Sequence, residues 1–160
     1  MSGSKIKSLD ELIEIREKLR EEKKTVVTTN GSFDILHAGH VRSLRESKSQ
    51  GDVLIVGINS DKSVKVYKSP DRPIVPEEQR AEMVAALQCV DYVFMFNELN
   101  PIAFIEKIRP DVHANGADYG ENCVEKEAVL KNGGRLHLLK KYDEISTSGI
   151  IKKILTTYKQ

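Results

Sequence analysis

Two histidines three residues apart, His37 and His40, stand with Gly39 between them at the end of the string Thr28-Thr29-Asn30-Gly31-Ser32-Phe33-Asp34-Ile35-Leu36-His37-Ala38-Gly39-His40. At that spacing, on the first turn of a helix, both rings lie on one face. A helix start also offers free backbone N–H groups and partial positive charge. Gly39 lets a bulky anion come close to the backbone. This set suits a polyphosphate better than a metal ion, which would ask for a third histidine beside the pair. One lone histidine would read as a satisfied polar group. Two in HAGH, after a glycine-containing turn, read as function. Neither GxGxxG nor GxxxxGK[ST] occurs anywhere, which argues against the usual dinucleotide oxidoreductases and P-loop kinases.

The elements that must position this pair alternate along the chain. Ser8 to Glu11 has capping-box form, and Leu12, Ile15 and Leu19 follow at helical spacing. A β-rich stretch at 25–29 is expected to stop at Asn30-Gly31, and a helix over 38–50 to close at Gly51. The run 53–58 is apolar on both faces, as in a strand buried inside a parallel sheet. Residues 59–72 are polar and basic, a short helix running into a loop. Pro76 then opens a helix with Glu77 and Glu78 at its favourable end and Ala81, Val84, Ala85 and Leu87 inward. Strands at 92–96, 111–114 and 136–139 alternate with helices begun by Asn100-Pro101, over 123–131, and over 146–157. The last of these carries Ile150, Ile151, Ile154 and Leu155 on one stripe. Five strands separated by helices indicate an α/β domain: a Rossmann-like, doubly wound, five-stranded parallel sheet. An amphipathic helix over 1–24 is expected to lead a domain over 25–160. Ligands of such sheets sit at the carboxyl ends of the strands.

Composition narrows the classes. The 160 residues fit one domain, and 25 basic against 24 acidic residues leave +1, which argues against a nucleic-acid-coating protein. No apolar run reaches the roughly 20 residues of a membrane span. Residues 1–7 lack the apolar stretch of a secretory signal, so a cytoplasmic protein is expected. Cys89 and Cys123 form no CxxC pair and read as small residues in or near the core.

The chain resembles the HxGH nucleotidyltransferase superfamily and, within it, the cytidylyltransferase-like group. The resemblance rests on TNGSFDILHAGH near the start and Ile145-Ser146-Thr147-Ser148-Gly149-Ile150-Ile151 near the end. Asn59-Ser60-Asp61, Arg72-Pro73, Glu78-Gln79-Arg80, Gly116-Ala117-Asp118-Tyr119 and Asn132-Gly133-Gly134 fall in family order between them. DRPIVPEEQR, the KNGG turn and STSGIIKKI further resemble the heptose 1-phosphate adenylyltransferases, free-standing or joined to a heptose kinase. The free-standing form is the one expected. The resemblance implies transfer of a nucleoside monophosphate from a triphosphate, ATP in first place, to a sugar phosphate, giving ADP-heptose and pyrophosphate. A monomer and a homodimer both stay open.

Such transfer asks for donors and cations around the phosphates, and for no protein nucleophile. The resemblance assigns His37 and His40 to the α- and β-phosphate oxygens, and the backbone of Gly31, Ser32 and Phe33 to a phosphate cradle. Lys65 and Lys68 would neutralise the attacking phosphate or the triphosphate tail. Ser146, Thr147 and Ser148 would grip the β- and γ-phosphates at a helix start. Asp118 is expected beside the nucleotide and Asp34 within the same site, as a turn residue or an orienting group. Lys65 and Lys68 could instead be solvated charges, Ser146 a plain cap, and Arg80 an ion-pair residue. Mg²⁺ is expected to arrive with the triphosphate. Asn115 stands where the heptose-type pattern has lysine, and Lys141 where the glycerol-phosphate cytidylyltransferases have arginine. The alternatives are therefore a cytidylyltransferase for glycerol 3-phosphate, more distantly an FMN adenylyltransferase, and a silent nucleotide-binding module.

Overall fold

Val53–Asn59 is apolar on both sides because helices cover both sides: it is an interior strand of one parallel sheet. The structure is a computed structural model that describes residues 4–120, 122–142 and 144–159. Residues 1–3 of the polar N-terminal stretch, Glu121, Asp143 and Gln160 lie outside the described residues. The strands are β1 (Val26–Gly31), β2 (Val53–Asn59), β3 (Tyr92–Phe96), β4 (Val112–Gly116) and β5 (Arg135–Leu139), in the order β3-β2-β1-β4-β5. The helices are α1 (Leu9–Glu21), α2 (Ala38–Lys48), α3 (Asp61–Tyr67), α4 (Glu77–Ala85), α5 (Ile102–Ile108), α6 (Lys126–Lys131) and α7 (Thr147–Thr157). The doubly wound α/β architecture is the one expected. None of these helices is long and apolar enough to cross a membrane.

Strand side chains alternate between two cores. Val27, Leu54, Val56, Ile58 and Val112 meet Leu44 of α2 and Ala81 and Val84 of α4. Val26, Ile55, Phe94 and Phe96 meet Leu12 of α1, Phe104, Ile105 and Ile108 of α5, and Val129 of α6. Each such burial contributes about 1.5–3 kcal/mol relative to exposure. The expected capping box is present at Ser8 and Glu11, and Leu12 of α1 is fully buried. Ile6 runs parallel to Val93, covering the open edge of β3.

Several boundaries differ from the pattern. β1 continues through Asn30-Gly31, because those residues still pair with Gly57 and Ile58. Pro76 and Pro101 are N-caps rather than first helical residues. A 3-10 turn at Ala117–Tyr119 stands after β4, and α6 starts at Lys126 rather than 123. No residue of α7 is buried, and Ile154 and Leu155 are 50% and 61% exposed. Periodicity marks an apolar stripe without saying what covers it.

The strand order reverses at β1 and β4, whose onward crossovers lie on opposite faces through α2 and α6. The two strands pair only at Val27↔Val112 and Thr28↔His113. Asn30-Gly31 and Asn115-Gly116 therefore part and leave a crevice at the carboxyl ends, where such folds bind ligands.

His113, in the last pair before the two strands part, is fully buried, with Nδ1 2.8 Å from Thr28 Oγ1 and no partner on Nε2. Burial pushes its imidazole down to about 3 from an ordinary 6.5. Between those values the unfolded chain binds a proton that the folded chain refuses. Stability is thus fully present above 6.5 and falls with acidification, by up to about 1.4 kcal/mol per pH unit per such histidine. His113→Gln is expected to flatten the decline in urea midpoint between pH 6.5 and 4.5; a wild-type slope in the variant would contradict this.

Candidate active site

A cavity of about 670 Å³ opens at the carboxyl ends of the strands, with Gly31, Ser32, Phe33, His40 and Lys68 in its wall. β1 delivers the chain to this point, and a strained turn redirects it. Phe33 and Ile35 both adopt positive φ, 49° and 50°, a costly conformation for large side chains. The Phe33 ring lies beneath Gly31, where an added Cβ would come within 3.1 Å of it, and meets the His40 ring edge-on at 5.3 Å.

His37 is the N-cap of α2, and its Nδ1 accepts from Gly39 N at 3.1 Å. With Nδ1 an acceptor, the proton of the neutral ring resides on Nε2. Any side chain on Gly39 would strike that imidazole, 2.9 Å from its Cε1. The His37 and His40 rings stack at 3.8 Å and 22°. Burial depresses both; His40, with further pressure from His37 and Lys68 against the pull of Asp34, falls to about 4. Both rings are therefore neutral at pH 7, and His40 Nδ1 is buried without a protein partner. Two uncharged donors side by side suit phosphate oxygens, since neither repels the other.

Lys68 ends α3 and lines the cavity, whereas Lys65, one turn earlier on α3, is exposed and outside its wall. Asp34 requires a correction. Its carboxylate is fully buried and accepts from Arg72 Nε (2.7 Å), Ile74 N (2.9 Å) and Val75 N (2.9 Å). Desolvation raises its pKa, but these bonds and Arg72 outweigh that and hold it below the usual carboxylate range. It is a tie behind the wall, not a ligand-facing group. Ser146 is the N-cap of α7, accepting from Gly149 N at 3.1 Å, and Ser148 is exposed. Thr147 Oγ1 donates to Asp34 O, pinning the start of α7 against the HAGH turn rather than placing it in the cavity wall. Asp118 is also outside that wall, exposed and 3.4 Å from Lys141.

Arg80 proves central in a way its sequence position did not reveal. It is 1% exposed and donates to Ser32 O, Val75 O (2.9 Å), Asn59 O (2.8 Å) and Asp61 Oδ1 (2.7 Å). The same guanidinium thus ties the turn after β1, the end of β2, the start of α3 and the approach to α4. Asn115 lines the cavity but is engaged by Glu125, a contact with no sequence signal. Among the described residues, no group of three or more His, Cys, Asp or Glu is arranged to hold a metal ion.

A family model described as cytidylyltransferase-like matches residues 28–153. The chain is 47% identical over 158 residues to the bifunctional protein HldE of Geobacter metallireducens, and 44% identical over 158 residues to that of Syntrophotalea carbinolica. Each match covers 98% of this chain and 32% of the relative, so the chain spans about a third of those proteins. A crystal structure of the lipopolysaccharide core biosynthesis protein from Thermoplasma volcanium GSS1 superposes with TM-score 0.63 at 28% identity, covering 75% of this chain and 99% of that one. Pantoate-beta-alanine ligase from Francisella tularensis shares the fold, with TM-score 0.61 at 16% identity over 97% of this chain and 79% of its own.

Lysine cannot reproduce the planar fork that reaches Arg80's acceptors. Arg80→Lys is expected to destabilise the protein by about 3 kcal/mol in urea unfolding, as for a broken buried charge network. Arg42→Lys, at an exposed ion pair with Glu144, is the control and should leave the midpoint nearly unchanged. Equal midpoints for the Arg80 variant and wild type would contradict the tie.

Proposed function

We propose that this chain, which belongs to the cytidylyltransferase-like family, transfers a nucleoside monophosphate from a nucleoside triphosphate to a sugar phosphate and releases pyrophosphate. ATP is the nucleotide and D-glycero-β-D-manno-heptose 1-phosphate the acceptor in this reading, and the reaction runs in the cytoplasm. The observation that carries it is the stacked, neutral His37–His40 pair, with an unpartnered buried nitrogen, at the crevice where the strand order reverses. The heptose assignment is supported by the resemblance of TNGSFDILHAGH, DRPIVPEEQR and STSGIIKKI. Similarity to the HldE proteins and to a lipopolysaccharide core biosynthesis protein points the same way.

In the reaction an oxygen of the acceptor phosphate forms a bond to the α-phosphorus as the bond from that phosphorus to the α–β bridging oxygen breaks. The electron pair leaves with pyrophosphate, so no protein nucleophile is needed. His37 and His40 donate to α- and β-phosphate oxygens, aimed where charge grows. Lys68 neutralises the phosphates, and the backbone at Gly31 to Phe33 cradles them. Ser146 to Ser148, at the start of α7, and Lys65, one turn before Lys68, would join at the tail of the triphosphate only as it extends past the cavity wall; Asp118 would meet the nucleotide by the same extension. The donors at the phosphate end are N–H groups and a cation, a set that fits phosphate oxygens rather than a metal. Mg²⁺ would therefore be held by the triphosphate itself and would offset its charge.

Pyrophosphate release with ATP or CTP against heptose 1-phosphate and glycerol 3-phosphate tests the reading. ATP with heptose 1-phosphate is expected to give the highest kcat/KM, and excess EDTA to abolish it. His37→Ala and His40→Ala should each lose roughly 10²–10³ in kcat with unchanged circular dichroism. CTP with glycerol 3-phosphate as the best pair would overturn the substrates. Near-normal rates in both histidine variants would overturn the site.

A further inference from the structure

The cavity wall carries a carboxylate that the chemistry above does not use. Glu125 lines the cavity just before α6, with its side chain 5% exposed. Asn115 Nδ2 donates to its Oε1, while Asn115 Oδ1 accepts from Gly116 N at 3.0 Å and so fixes the amide's orientation. His113 Nε2 stands 3.9 Å from Oε1, beyond hydrogen-bond reach, and that ring is neutral at neutral pH. Among the described residues no lysine or arginine pairs with Glu125, and no hydrogen bond reaches its Oε2. A buried carboxylate with one neutral donor is under-compensated. A ligand with donor groups would complete it.

The polarity of the cavity says which part of the ligand that is. Lys68 and His40 make part of the wall suited to anions, and a carboxylate repels phosphate. The wall also holds the amides Asn30, Asn59, Asn100 and Asn122, and of its amides Asn115 is the one bonded to Glu125. A carboxylate with an open oxygen accepts from hydroxyl groups, and a polyhydroxylated acceptor brings several of them. We propose that Glu125, held in position by Asn115, is the specificity-determining residue for the acceptor, receiving hydroxyl groups of a polyhydroxylated phosphate ester. This rests on reading the cavity as the site of nucleotidyl transfer.

Glu125→Gln keeps the size of the side chain and an acceptor for Asn115 but removes the charge. It is expected to raise KM for heptose 1-phosphate roughly tenfold to a hundredfold, the scale of a lost charge-assisted bond, while KM for ATP stays put. Monodeoxy heptose 1-phosphates, tried on the wild-type protein, need no variant to fold. At least one should carry a similar penalty, and Glu125→Gln should add little to it. A rise in KM for ATP instead would make Glu125 a nucleotide contact, and no change in either KM would make it structural; both overturn the inference while leaving nucleotidyl transfer intact. A wild-type protein that releases no pyrophosphate with any phosphorylated acceptor overturns the functional reading and this inference with it.

Discussion

A buried guanidinium is costly unless its donors are matched, and Arg80 makes four hydrogen bonds, to three carbonyls and a carboxylate from otherwise separate segments. Asp34 does the complementary task with a buried negative charge, gathering Arg72 and the N–H groups of Ile74 and Val75. The two clamps share Val75, whose carbonyl accepts from Arg80 and whose N–H donates to Asp34. That residue is a joint between opposite buried charges. With it fixed, the carboxyl ends of β1 and β2, the start of α3 and the approach to α4 have one mutual arrangement.

The chemistry depends on that rigidity. Positive φ at Phe33 and Ile35 costs energy that only an over-determined surrounding sustains. Ser32 O is held by Arg80 on one side of the turn, and Asp34 O is held by Thr147 on the other. The turn then brings Phe33 under His40 and sets His37 as the cap of α2. The protonation state of the pair follows from packing: stacked, partly buried imidazoles cannot both carry charge cheaply, so they stand as neutral donors. The clamping charges of Asp34 and Arg80 lie behind the cavity wall, in which Lys68 and His40 stand.

Much of this was legible in the sequence where the signal is local. Apolar residues on both faces of 53–58 announced an interior strand, and HAGH after a glycine turn marked the segment that caps α2 at the crevice, where the anion site is proposed. What was not legible depends on partners far along the chain. Asp34 looked like part of the ligand site because its actual partners lie some 40 positions away, at Arg72 to Val75. Arg80, after two glutamates, read as well as an ion-pair residue of its helix as a functional one. Lys65 and Lys68 are alike in sequence, and only the end of α3 sets one in the cavity wall and the other in solvent. Glu125 had no motif, since its meaning arises from its bond to Asn115 at the end of β4. The stripe on α7 was visible, but its exposure was not.

The central claim is that prearranged donors around the α-phosphorus allow one direct displacement, with no covalent bond to the protein. The stereochemistry of transfer tests it most directly. A nucleotide of single configuration at an α-phosphorothioate should pass its nucleotidyl group to the acceptor with inversion at phosphorus. Retention would require two displacements through a protein-bound intermediate and would contradict the account.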